Sequence, residues 1–175
     1  KRRAGKIVLI EKDGIASGAS GWSSAIVRMH YQLESLVKIT RYGREMFGDW
    51  RSMVGPGESG FRKVGFLVLF PEDETEHGHD VVKMQQKLGV DAHYISANEV
   101  SQIEPRLSVE DVAAGAWEPN SGHADGSTVA NSFVLAARSL GVDVCIGPEV
   151  LELTTAGTRI TGVKTSEGRI HAGTV

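Results

Sequence analysis

Apolar and polar positions recur along this chain with two periods, and these mark out its elements. Ile7-Val8-Leu9-Ile10 is a short unbroken apolar run with β-branched residues, the pattern of a buried parallel strand, and Glu11 stands directly at its carboxyl end. Small and polar residues follow, Gly14, Ser17, Gly18, Ala19, Ser20, Gly21, Ser23 and Ser24, which read as a loop. Ala25-Ile26-Val27 then lead into Arg28, His30 and Tyr31. Over residues 32–54, Leu36, Gly43, Phe47, Trp50 and Val54 recur at helical steps, with Arg41, Arg44, Glu45 and Arg51 elsewhere on the cylinder. This predicts one helix with a core-facing stripe, ended by Gly55-Pro56-Gly57.

Residues 61–70 alternate as a strand, with Val64, Phe66, Val68 and Phe70 on one side. Pro71 and three acids open a helix that runs toward Lys83, Lys87 and Gly89, the charge order that suits a helix dipole. His77 and His79 lie on it beside Asp80, but two imidazoles spaced by two on a helix point about 200° apart and read as a solvated face, not a metal site. Residues 93–95 form a short strand, Ser96 and Glu99 make a capping-box pattern, and the helix they open stops at Pro105. A strand is predicted over 112–117. Asp125 suits the N-cap of a helix over 127–140 with the stripe Val129, Phe133, Ala136, Ala137 and Leu140. After Gly141 come a strand over 142–146 and three more over 149–155, 160–166 and 169–175, joined by turns at Ala156-Gly157 and Glu167-Gly168 as an antiparallel meander. The fold class is α/β, or α+β taken overall.

Composition narrows the function classes. With 41% hydrophobic and 23% charged residues in 175, the chain is ordinary soluble material with enough length for a sizeable core. A net charge of −3 gives no reason to expect nucleic acid, since the basic cluster Lys1-Arg2-Arg3 is terminal. The single Cys145 excludes an internal disulfide framework and a CxxC metal site, and reads as a small buried residue. No apolar run approaches the roughly 20 residues that span a bilayer, and no signal-peptide pattern opens the chain, so no membrane partner and a cytoplasmic location are expected.

In open α/β sheets ligands bind beyond the carboxyl ends of strands. An acid there accepts hydrogen bonds from a ribose diol, while small residues let backbone N–H groups and hydroxyls approach a pyrophosphate. Glu11 and its loop fit that chemistry; taken alone they fit a surface acid and a flexible loop equally. The longer segment, KIVLIEKDGIASGASGWSSAIVRMHY over residues 6–31, resembles the second strand and following loop of FAD-dependent amine oxidoreductases of the D-amino-acid oxidase superfamily, in the sarcosine oxidase and dimethylglycine dehydrogenase branch. EPNSGHAD over residues 118–125, with the helix to Leu140-Gly141-Val142-Asp143-Val144, is a second match; the middle of the chain matches weakly.

The resemblance implies a partial, Rossmann-like FAD-binding domain over 1–56 and 118–175, with a β-meander, and an inserted mixed α+β substrate domain over 57–117. It implies that Glu11 accepts the adenosine ribose hydroxyls beside Lys12. Ser17, Ser20, Gly21, Ser23 and Ser24 meet the pyrophosphate and ribityl chain, and backbone near Val150 meets the adenine. Arg28 stands beside the flavin or binds a substrate carboxylate, a task suited to a bidentate guanidinium; His30 and Tyr31 line the pocket as proton acceptor or substrate contact. Where some relatives carry a covalently linked His, this chain has Trp22, Ser23 and Ser24, so linkage through this loop is not expected.

The implied reaction is FAD-dependent oxidation of a C–N bond in an amine or N-methyl amino acid, with oxygen or another redox protein as electron acceptor and oligomer formation left open. A dinucleotide-binding unit needs an earlier strand and a GxGxxG turn, and none precedes Lys6, so the chain is expected to be an internal piece of a polypeptide roughly twice as long and inactive alone. Two alternatives stand beside this reading: a glycerol-3-phosphate dehydrogenase-like flavoenzyme, and a non-catalytic subunit that keeps the fold.

Overall fold

The computed structural model describes residues 5–175; the terminal basic cluster lies outside them. Strand β1 (Val8–Glu11) pairs in parallel with β7 (Asp143–Ile146), and Glu11 sits opposite Ile146. Past the strand tips, Gly147 N–H donates to the Glu11 carbonyl at 2.8 Å, which ties the acid's backbone to the chain leaving β7. The helix that delivers β7 is α6 (Gly126–Ser139), capped by Asp125, whose carboxylate accepts from Thr128 N–H at 2.6 Å.

The small-residue stretch is not all loop. A single-turn helix α1 (Ala19–Trp22) forms within it and packs on the start of α6. The contact is so close that a Cβ at Gly126 would fall on the Ser20 carbonyl oxygen. Two-residue strand β2 (Ile26–Val27) follows, paired antiparallel with β6 (Gly122–His123).

The long predicted helix divides. Helix α2 (Glu34–Gly48) and α3 (Trp50–Met53) meet at Asp49, whose φ of −128° and ψ of 56° lie outside the helical region. The core-facing residue of α2 is Val37, fully buried, whereas Leu36 is substantially exposed. Trp50 is buried as expected and meets the Phe133 ring edge-on at 4.9 Å, which fastens α3 to α6.

The middle of the chain builds a three-stranded antiparallel sheet in the order β3-β5-β4, from β3 (Phe66–Phe70), β4 (His93–Ser96) and β5 (Ala114–Glu118). β3 is shorter than its sequence pattern because Gly65 takes φ +83° and turns the chain over the Trp117 ring, while Arg62 bridges to His123 instead. Helix α4 (Thr75–Lys87), entered through a 3-10 turn over Glu72–Glu74, lies on this sheet. The Ser96–Glu99 capping box forms as predicted and opens α5 (Ala97–Ile103). The main core cluster lies here: Met29, Val37, Phe70, Val82, Val90, Ala92, Ala114 and Ala116. Each large apolar side chain fully buried there contributes about 1.5–3 kcal/mol. The meander closes the fold as β8 (Val150–Ala156), β9 (Arg159–Thr165) and β10 (Gly168–His171), the last strand ending well before residue 175.

Among the described residues no helix is long and apolar enough to cross a membrane, and no cluster of His, Cys, Asp or Glu could hold a metal.

Candidate functional site

A cavity of about 630 Å³ opens where the tip of β1, helix α1, β2 and the faces of α2 and α6 converge. That is within the size range of small-molecule sites. Its walls are mostly apolar, with Leu9, Ile26, Val27, Phe47, Val129 and Phe133 among them, and a few polar groups are set into them. Glu11, Ser20 and Ser23 are three of them; Arg28, Tyr31 and Arg44 are three more.

The Glu11 carboxylate is fixed at the strand tip by one oxygen, Oε1, which accepts from Asp13 N–H at 2.9 Å. Its Oε2 is left as an acceptor. Ser23 Oγ accepts from Ala25 N–H at 2.9 Å and so shapes the chain leaving α1. This stretch is also strained: Ala16 (φ 66°) and Ala25 (φ 48°), both in the cavity wall, occupy the left-handed region without being glycine. Such residues persist only where surroundings over-determine them, and they cluster at ligand sites.

Arg28 is held by three groups. Its guanidinium lies 4.5 Å from the Tyr31 ring centroid and 5.2 Å from that of Phe66, and Nη1 donates to the His30 carbonyl at 2.7 Å. Arg44 stands over the Phe61 ring at 4.5 Å, its Nε donates to the Asn120 carbonyl, and burial pushes its pKa down. Neither guanidinium forms an ion pair with a carboxylate among the described residues.

The predicted site residues are thus divided. Glu11, Ser20, Ser23, Arg28 and Tyr31 face one cavity. Ser17, Gly21 and Ser24 belong to the same stretch but not to the cavity wall, and Trp22 on α1 is largely exposed. Lys12 turns away to an ion pair with Glu149 at 3.2 Å, whose hydrogen bond raises the lysine's pKa; Val150 begins β8 just beyond, outside the cavity.

The His30 ring points away from the cavity, 6.1 Å from Phe70. Burial lowers its pKa, against the opposing pull of Glu118 and the Gln85 amide, while Arg28 and His77 add to the lowering. A folded pKa below the unfolded one means that the unfolded chain binds more protons in the interval between them. Stability is therefore expected to fall as pH drops below about 6.5 toward the folded value. Urea midpoints at a series of pH values, compared with His30→Phe, check this: the variant should lose that part of the slope.

Behind Arg28 lies a polar hub. Glu118, at the end of β5, is fully buried and accepts from Met29 N–H (2.9 Å), Ser121 Oγ (2.7 Å) and Gln85 Nε2 (2.5 Å). It also pairs in register with Phe66, one of the two rings under Arg28. Sequence reasoning passed over Glu118 and Gln85 as site residues. The signal was there: an acid ending an apolar strand, and one Gln continuing the buried Val81–Val82 stripe of α4.

The DAO family, described as FAD dependent oxidoreductase, matches residues 1–175. The chain belongs to that family. The sarcosine oxidase subunit beta of Arthrobacter sp is 27% identical over 179 residues, covering 97% of this chain and 43% of that protein. Among solved structures, L-proline dehydrogenase of P. horikoshii superposes with a TM-score of 0.86 at 27% identity, over 98% of this chain and 45% of that one. Glycine oxidase of Bacillus cereus ATCC 14579 gives 0.76 at 27% identity, over 98% and 49%. The chain thus spans less than half the length of these relatives.

The donor set suits the family's cofactor: a carboxylate with a spare oxygen at a parallel-strand tip, and two hydroxyls lining the same mostly apolar cavity. Glu11 and Ser20 are the residues that would hold it from this chain. Glu11→Gln keeps one acceptor and loses charge assistance, so FAD affinity of the full-length protein should drop about tenfold, near 1.4 kcal/mol. Titrating the apoprotein with FAD and following fluorescence quenching measures it.

Proposed function

We propose that the full-length protein oxidises a C–N bond in a secondary or tertiary amine, an N-methyl amino acid of the sarcosine or dimethylglycine kind. One observation carries the reading: an acid suited to a ribose and a guanidinium suited to a carboxylate line the same cavity. FAD, when bound, supplies the acceptor for the hydride that leaves the carbon next to nitrogen, and water hydrolyses the resulting iminium. Glu11 holds the ribose end, with the Ser20 and Ser23 hydroxyls alongside. Arg28, pre-set on Tyr31 and Phe66, grips the substrate carboxylate, and Tyr31 fills out the pocket. Apolar walls from α2 and α6 keep water from the reacting carbon.

In this reading, residues 57–117 form the substrate domain, and the rest forms the cofactor domain, which also lends Arg28 and Tyr31 to the substrate. The electron acceptor is oxygen or a redox protein, and the location is cytoplasmic. The test is the visible spectrum of the full-length protein. Flavin absorbance that bleaches on adding sarcosine, dimethylglycine or a D-amino acid, with no response to glycerol 3-phosphate, supports the proposal. Bleaching by glycerol 3-phosphate alone transfers it to phosphate-bearing substrates, and a protein that takes up no flavin is a non-catalytic subunit.

A further inference from the structure

Two buried polar atoms of neighbouring side chains have no partner among the described residues: His30 Nδ1 and Gln85 Oε1. The Gln85 side chain is close enough to favour the charged form of the His30 ring, and Gln85 itself is fully buried. An acceptor and a ring nitrogen that are both buried and unpaired on neighbouring side chains should satisfy each other directly. The far end of the amide decides which atom carries the proton. Gln85 Nε2 donates to Glu118 Oε1, and Glu118 Oε2 is taken by Met29 N–H, a backbone donor that cannot change role. With its NH2 committed to Glu118, the amide presents its oxygen to His30. Only a protonated Nδ1 can meet that oxygen.

We propose that Glu118 and Gln85 are positioning residues for His30: the carboxylate orients the amide, the amide holds the ring proton on Nδ1, and Nε2 keeps its lone pair as an acceptor. The carboxylate end of this relay also anchors Met29, the residue between Arg28 and His30. The relay stands on the hydrogen bonds of this layer and is independent of the amine reading.

The experiment uses the full-length protein with 15N-labelled histidine at about pH 8, where an ordinary imidazole is neutral, the His30 signals being assigned with His30→Phe. The native protein should show a protonated Nδ1 and a bare Nε2. In Glu118→Gln, the new amide keeps its oxygen toward Met29 N–H and turns its NH2 toward Gln85. The Gln85 amide then reverses, and the two ring signals should exchange positions. Combining Glu118→Gln with Gln85→Glu restores a donor facing a carboxylate whose second oxygen meets His30, so the proton should return to Nδ1. A native ring protonated on Nε2 overturns the proposal. So does a Glu118→Gln protein with unchanged ring signals, or a double variant that fails to restore Nδ1–H. If Glu118→Gln does not fold, the native protein and the double variant still decide. No outcome depends on turnover, so failure here and failure of the amine reading are separate results.

Discussion

Glu118→Leu is expected to lower the stability of the full-length protein by about 3 kcal/mol, since it strands two buried donors at roughly 1–3 kcal/mol each. They are Met29 N–H and Gln85 Nε2; the Ser121 hydroxyl, the third donor, is a rotor and is left out of this sum. The loss should show as a lower urea midpoint with an unchanged slope. Removing one of the stranded donors as well, in Glu118→Leu with Gln85→Leu, should recover part of it, because two apolar groups of similar shape can pack where a polar pair stood. Additive losses in the double variant, or a single-variant loss below about 1 kcal/mol, would show that these hydrogen bonds contribute little.

Arg28→Ala should reduce kcat/KM for a carboxylate-bearing amine about 100-fold, near 2.7 kcal/mol, the scale of hydrogen bonds to a charged group. KM should carry most of the change. Arg28→Lys should recover little. An ammonium can neither pair bidentately with a carboxylate nor stack as a planar group between Tyr31 and Phe66. An amine of the same size without a carboxylate should be oxidised by both variants within about threefold of the native rate, which separates carboxylate recognition from general damage to the pocket. Unchanged kinetics with the carboxylate-bearing substrate would remove the role assigned to Arg28.

Much of this site could be seen in the chain because its signals are local. A β-branched run followed by an acid defines a strand tip within five residues, and Glu11 is there. Capping residues act within one turn, so Asp125 and the Ser96–Glu99 box were readable. What escaped depends on distant contacts. Helix α1 owes its place to the close approach of Gly126, and the break at Asp49 lets Trp50 reach Phe133. His30 reads as a pocket residue by its position between Arg28 and Tyr31, yet its ring packs toward Phe70 of the middle layer, a contact made with a residue forty positions away. Glu118 shows locally as an acid ending an apolar strand, but the three donors that meet on it come from three separate segments.

The parallel pairing of β1 with β7 sets an order of events during synthesis. Glu11 emerges from the ribosome among the first residues of this segment, but the strand beside it arrives only after the whole β3-β5-β4 layer and α6 have been made. Local contacts close early and distant ones late. The middle layer can therefore collapse around its own core before β7 exists to pair with β1. The acid at the cavity's strand tip thus meets its partner strand only after most of this chain has been made.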